Sequence, residues 1–119
     1  MPYQSFEDLD VWKKSCNLAV FVYEALRGTN DFGMRDQMQR SAVSIASNIA
    51  EGSERSSKDF ARFLGIALGS SSELRTQAYI AAKVSIITVD QMKHIAEESK
   101  SINRMLFRLR ESLTKQTEN

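Results

Sequence analysis

The sequence predicts an all-α fold, an antiparallel up-down-up-down four-helix bundle forming one domain over residues 1–119. Apolar residues recur at three- and four-residue steps along almost the whole chain. The one proline, Pro2, precedes every periodic segment, so no helix interior is broken. Glycines and capping signals then cut the chain into four stretches of about 18 to 30 residues with short connections, which favours sequential helices as antiparallel neighbours.

The first stretch, residues 6–27, carries Leu9, Trp12, Cys16, Ala19, Tyr23 and Leu26 on one stripe, which is its expected core face. Gly28 follows as a natural left-handed stop, and residues 29–33 form a turn. The second, residues 34–51, lines up Met34, Met38, Ala42, Ile45 and Ile49, widened by Val43, Ala46 and Ala50, and closes at Gly52. The third opens at Ser56 with Asp59 three residues later, the pattern in which hydroxyl and carboxylate each accept an exposed backbone N–H. It runs to about residue 85 with Phe60, Leu64, Ala67, Ser71, Leu74, Ala78 and Ala81 in one seam.

Thr88 and Gln91 form a second capping box. The fourth helix, to about residue 115, carries Ile95, Ser99, Ile102, Leu106, Leu109 and Leu113. Residues 116–119 are polar and expected to fray.

Sixteen Lys and Arg against fifteen Asp and Glu leave a formal charge of +1. That balance lacks the general basic excess of a nonspecific nucleic-acid binder, so any such activity must come from a local patch. One cysteine excludes an intrachain disulfide and fits a reducing cytoplasm. The N-terminus lacks the basic start and apolar run of a signal peptide, and no stretch approaches the roughly 18 apolar residues of a membrane span.

The search for chemistry finds no enzyme. A di-iron site in a bundle needs inward Glu residues and paired Glu-x-x-His motifs, whereas the only histidine is His94. Cys16 lies on an apolar stripe with no second histidine to serve as base. Gly65-x-x-x-Gly69 lacks the lysine and preceding strand of a phosphate loop. No catalytic residue, metal or cofactor is expected.

Other features point to surfaces. The first helix has a second apolar stripe, Val11, Leu18, Val22 and Ala25, and the second is small and apolar around residues 41–50. This is either a broad core face or the surplus of a subunit interface. Two mid-helix glycines cost about 1 kcal/mol each relative to alanine, and with Ser72 they make a shallow face suited to close approach of another helix. Along the second helix Arg40, Ser44, Asn48 and Glu51 form a polar line. Glu51 sits at the negative end of the helix dipole, so it calls for a cation, with Arg55, Arg62 and Arg40 as candidates. On the fourth helix Lys100, Arg104, Arg108 and Arg110 are four basic residues with no acid among them. The first three share one face and suit a phosphate backbone, although Glu97 and Glu111 bracket them as on a solvated surface.

The run Asn48-Ile49-Ala50-Glu51-Gly52, followed by Arg55, Ser57 and Phe60-Ala61-Arg62-Phe63-Leu64, resembles a known family. With Leu9-Asp10-Val11-Trp12 upstream, and Ile66-Ala67-Leu68-Gly69-Ser70 and Glu73-Leu74 downstream, nearly the whole chain is similar to the bacterial four-helix-bundle proteins encoded in intervening sequences of large-subunit ribosomal RNA genes. The resemblance implies a cytoplasmic, ribosomal-protein-like chain assembling into a homopentameric barrel. A related branch, the accessory variability determinant of retroelements, implies reverse transcriptase and nucleic acid as partners, but that branch is strongly basic and this chain is not. Asn48, Glu51, Gly52, Arg55, Phe63, Gly69, Ser70 and Glu73 match recurrent family positions, where they imply structural roles.

The expectation is therefore a non-catalytic, self-assembling binding protein that engages RNA or a nucleic-acid enzyme through Lys100, Arg104, Arg108 and Arg110. The alternative is a protein-protein adaptor that binds no nucleic acid.

Overall fold

The computed structural model describes residues 5–118, and the side chains of residues 5–115; the last helix, expected to end near residue 115 in a frayed tail, instead continues to residue 118. A 3-10 turn, Phe6–Asp8, precedes four helices, α1 (Asp10–Ala25), α2 (Phe32–Ser53), α3 (Ser57–Lys83) and α4 (Val89–Glu118). No strand is present among the described residues. The pairs α1 with α2, α2 with α3, α3 with α4 and α1 with α4 all pack, giving an elongated body of 50 × 20 × 19 Å.

Local chemistry sets the boundaries. Leu9 is extended, with φ −76° and ψ 124°, so residues 6–8 do not join α1 as expected. The helix also ends two residues early, and Gly28, at φ 85°, takes the left-handed conformation just beyond it. Asp31 starts α2 before Met34, because its carboxylate accepts the Met34 amide at 3.0 Å. At α3 the Ser56 hydroxyl accepts the Asp59 amide at 3.3 Å.

The Thr88 and Gln91 box is closed in both directions, at 2.9 and 3.0 Å. Thr88→Ala is expected to lower stability by about 1 kcal/mol. A thermal melt matching that of the parent chain would remove this cap from the account.

The core is one cluster drawn from all four helices. The seams of α2, α3 and α4 face it largely as their spacing predicts: Met38, Ile45, Ile49, Leu64, Leu74, Ile95, Ile102 and Leu106 are fully buried. Where α3 meets α4, the Ser71 and Ser99 hydroxyls lie 2.7 Å apart, and Ser99 also donates to the Ser71 carbonyl at 3.1 Å. Small side chains let the helices approach there, and the paired hydroxyls satisfy each other without water.

On α1 the expected stripe holds only at Leu26, with Leu9, Trp12 and Ala19 at the edge of the core. The core face is Val11, Ser15, Leu18, Val22 and Leu26, whereas Trp12, Cys16 and Ala19 are half-buried and Tyr23 is 47% exposed. Two apolar stripes lie side by side on this helix, and Ser15 made the true one look interrupted. Its hydroxyl donates to the Val11 carbonyl at 2.7 Å, so the serine enters the core with its polar group satisfied.

Gly52 also differs from its expected role as the helix stop. It lies inside the last turn of α2 rather than ending the helix, and it is buried. A Cβ there would fall 2.6 Å from Phe63 Cβ and 2.9 Å from Phe60 Cδ1. The glycine is thus the contact point at which α3 crosses α2.

Candidate functional site

Three surfaces carry the residues singled out above. The first is a groove between α1 and α2. It is an open hollow of about 360 Å³ lined by Phe6, Trp12, Cys16, Ala19, Val43, Ala46, Ser47 and Ala50. Phe6 meets Trp12 edge-on, with ring centroids 5.1 Å apart. Burial pushes the Cys16 thiol above its usual pKa, which keeps it protonated and a poor nucleophile. The two apolar stripes of α1 thus differ: Val11, Leu18 and Val22 enter the core, whereas Trp12, Cys16 and Ala19 are half-buried along the open groove, with Trp12 and Ala19 packed against the edge of the core.

The second surface is a polar cleft between α2 and α3, lined by Gln37, Arg40, Ser41, Ser44, Ser70, Glu73 and Gln77. Asn48 donates to the Ser44 carbonyl at 2.8 Å and to its hydroxyl at 2.9 Å. That hydroxyl lies 2.8 Å from the Ser70 hydroxyl, and Ser41 donates to Glu73 at 3.1 Å. The structure thus joins Ser44, Asn48, Ser70 and Glu73 into a strip that ties α2 to α3. Among the described residues Arg40 lies in the cleft without an ion pair, and the buried Gln77 Oε1 has no donor.

Glu51 leaves that strip and pairs with Arg55 at 2.9 Å, one of the three cations considered for it. Arg62 instead lies 3.9 Å from Asp59, with its guanidinium 4.7 Å from the Phe63 ring centroid. Both pairs are exposed, where such contacts contribute about 0–1 kcal/mol.

The third surface is the outer face of α4. Lys100, Arg104 and Arg108 are exposed on one side of the helix, and none of them is in an ion pair among the described residues. Glu97 and Glu111 bracket this row without neutralising it through direct contact. Arg110 is set apart from the row. It is half-buried on the flank facing α3, where its Nη1 would lie 3.4 Å from a Cβ placed on Gly65, and its guanidinium is 5.2 Å from the Phe107 ring centroid.

Among the described residues no helix backbone packs against Gly65 or Gly69. Gly69 has nothing within 4 Å of a Cβ position, and Gly65 has only the Arg110 guanidinium, at 3.4 Å. Within the chain, Gly52 is the glycine required by close approach.

Among the described residues no group of three or more His, Cys, Asp and Glu is placed to hold a metal ion. His94, the only imidazole, lies with its ring centroid 4.2 Å from that of Phe21. No helix of the described residues is long and apolar enough to cross a membrane.

The family model of the 23S rRNA-intervening sequence proteins matches residues 7–108. The chain belongs to that family. Among solved structures, this intervening-sequence protein is similar to a protein of unknown function from the S23 ribosomal protein family of Bacteroides thetaiotaomicron VPI-5482. The TM-score is 0.77 and the identity 32%, covering 83% of this chain and 96% of that one. No curated protein matches. Neither description names a reaction, and no catalytic family is indicated.

Proposed function

We propose that this intervening-sequence protein is a non-catalytic, self-assembling scaffold of cytoplasmic type that binds RNA along the outer face of α4. The observation that carries the reading is the row Lys100, Arg104 and Arg108, three exposed cations on one side of a helix with no ion-pair partner among the described residues. With a net charge of only +1, a single copy offers a weak field. Repetition of the row around a homo-oligomer raises the number of phosphates engaged at once.

Several features support the assembled form, for which we take a pentameric barrel of single-domain, up-down-up-down bundles. Ser44 meets Ser70 and Ser41 meets Glu73, so contacts on α2 step backwards as those on α3 advance, as in an antiparallel pair. The α1 and α2 groove leaves Val43 exposed and Trp12 and Cys16 half-exposed, and the open face at Gly69 leaves room for a neighbouring helix to come close. Arg40 and Glu73 in the polar cleft are accessible to pair across such a contact.

The test is light scattering together with RNA binding over a salt series. A multimer is expected, with micromolar or tighter binding that weakens as salt rises. Arg104→Ala/Arg108→Ala should flatten the log–log salt slope by about 2 per protomer engaged. A monomer, or no binding at low salt, overturns the corresponding half of the proposal.

The groove favours a second reading, an adaptor that receives an apolar helix of another protein, such as a reverse-transcriptase-like partner, and binds no nucleic acid. It predicts association that does not change between low and high salt.

A further inference from the structure

The basic row of α4 is not uniformly polar. Phe107 stands three residues after Arg104 and seven after Lys100, so helical spacing sets it beside Arg104 and on the same face as Lys100, two turns along. It is 51% exposed, although Leu106, one residue earlier, is fully buried. Arg110 approaches from the α3 flank, its guanidinium 5.2 Å from the ring centroid. Cations therefore stand on both sides of an aromatic ring that half faces water.

A polyanion whose bases are already paired has no use for such a ring. In an A-form duplex the bases are stacked inside the helix, and a protein meets phosphates and 2′-hydroxyls. An unpaired strand offers both parts of the match: phosphates for Lys100, Arg104 and Arg108, and a free base face for Phe107. Base-on-aromatic stacking contributes about 1–3 kcal/mol per base and tolerates any base. The Arg110 guanidinium lies within cation–π distance of the same ring and adds positive charge beside it.

We infer that the α4 face takes single-stranded RNA, with Phe107 as the stacking platform and the surrounding cations holding the backbone. This rests on the RNA reading above and names which form of RNA the surface accepts. It adds to the site a residue that charge patterning alone does not reveal.

The experiment compares the full chain with Phe107→Ala and Phe107→Trp, using fluorescence anisotropy at one low salt concentration. The probes are a labelled mixed-sequence 12-nucleotide RNA and the blunt duplex formed with its complement. Circular dichroism melts confirm that each variant remains folded, which half exposure of the side chain predicts. The parent chain should bind the single strand more tightly than the duplex. Phe107→Ala should weaken single-strand binding by about 5- to 100-fold and change duplex binding less than about twofold, while Phe107→Trp retains the single-strand affinity.

Equal or tighter binding of the duplex, or single-strand binding unchanged in Phe107→Ala, overturns the inference and leaves the broader RNA reading standing. Loss in Phe107→Trp as large as in Phe107→Ala overturns the stacking role. No binding of either probe by the parent chain overturns both proposals together.

Discussion

Leu18→Ala is expected to cost about 2–5 kcal/mol of folding free energy, whereas Tyr23→Ala on the same helix should cost under about 1 kcal/mol. Leu18 is 1% exposed and belongs to the core cluster shared by all four helices. Truncating it removes three carbon atoms from contact and leaves a void that close-packed neighbours fill only in part. Tyr23 is nearly half in water and has less to lose. The pair separates the two apolar stripes of α1, one facing the core and the other bordering the open groove. Chemical denaturation of both variants decides the matter, and equal costs would mean that the stripe facing the core has been misassigned. If the groove joins copies of the chain, Val43→Ala, which changes an exposed lining residue, should weaken assembly at low protein concentration.

Gly52→Ala should be destabilising, although alanine is the better helix former by about 1 kcal/mol. The added methyl would stand 2.6 Å from Phe63 Cβ, an atom fixed to the α3 backbone and unable to swing aside. It would also meet the buried ring of Phe60 at 2.9 Å. Relief requires α3 to shift away from α2, and overpacking of this kind typically costs about 1–3 kcal/mol or more. We expect a net loss of about 2 kcal/mol and a fall in Tm on the order of 5–10 °C. Gly69→Ala is the control. With nothing within 4 Å it should raise the stability of the isolated chain by up to about 1 kcal/mol. A melt in which Gly52→Ala matches or exceeds the parent would show that the α2 and α3 crossing is not as tight as the structure places it. Should Gly69→Ala stabilise the fold yet reduce the assembled mass, the glycine face would be the one that meets a neighbour.

Elements whose signals are local were legible from the sequence. Thr88 and Gln91 satisfy each other's backbone over three residues, and Glu51 found its cation four residues away in Arg55. The seams of α3 and α4 could be followed because each has one dominant apolar face with polar residues opposite. Bounds drifted where a competing local bond intervened, as when the Asp31 carboxylate began α2 two residues early.

The surfaces were only half legible. Lys100, Arg104 and Arg108 could be placed on one face from their four-residue spacing, because helical geometry alone sets it. Arg110 separated from them, since two residues further on the helix has turned towards α3 and Gly65 leaves room for its guanidinium. The strip from Ser44 and Asn48 to Ser70 was visible only on its α2 side, because its other half lies 26 residues further along the chain.

By itself the sequence determined that the chain is helical, where the four helices begin and end to within a few residues, which seam of α2, α3 and α4 is buried, and that no familiar catalytic set is present. These follow from periodicity and capping, which act over one or two turns. Only the tertiary structure decided which stripe of α1 enters the core, that Gly52 rather than Gly65 or Gly69 is the glycine a packed helix demands, and that Phe107 stands exposed among cations. Each of these depends on what lies across from a residue in space, and a one-dimensional pattern holds no information about the neighbour until the helices have packed.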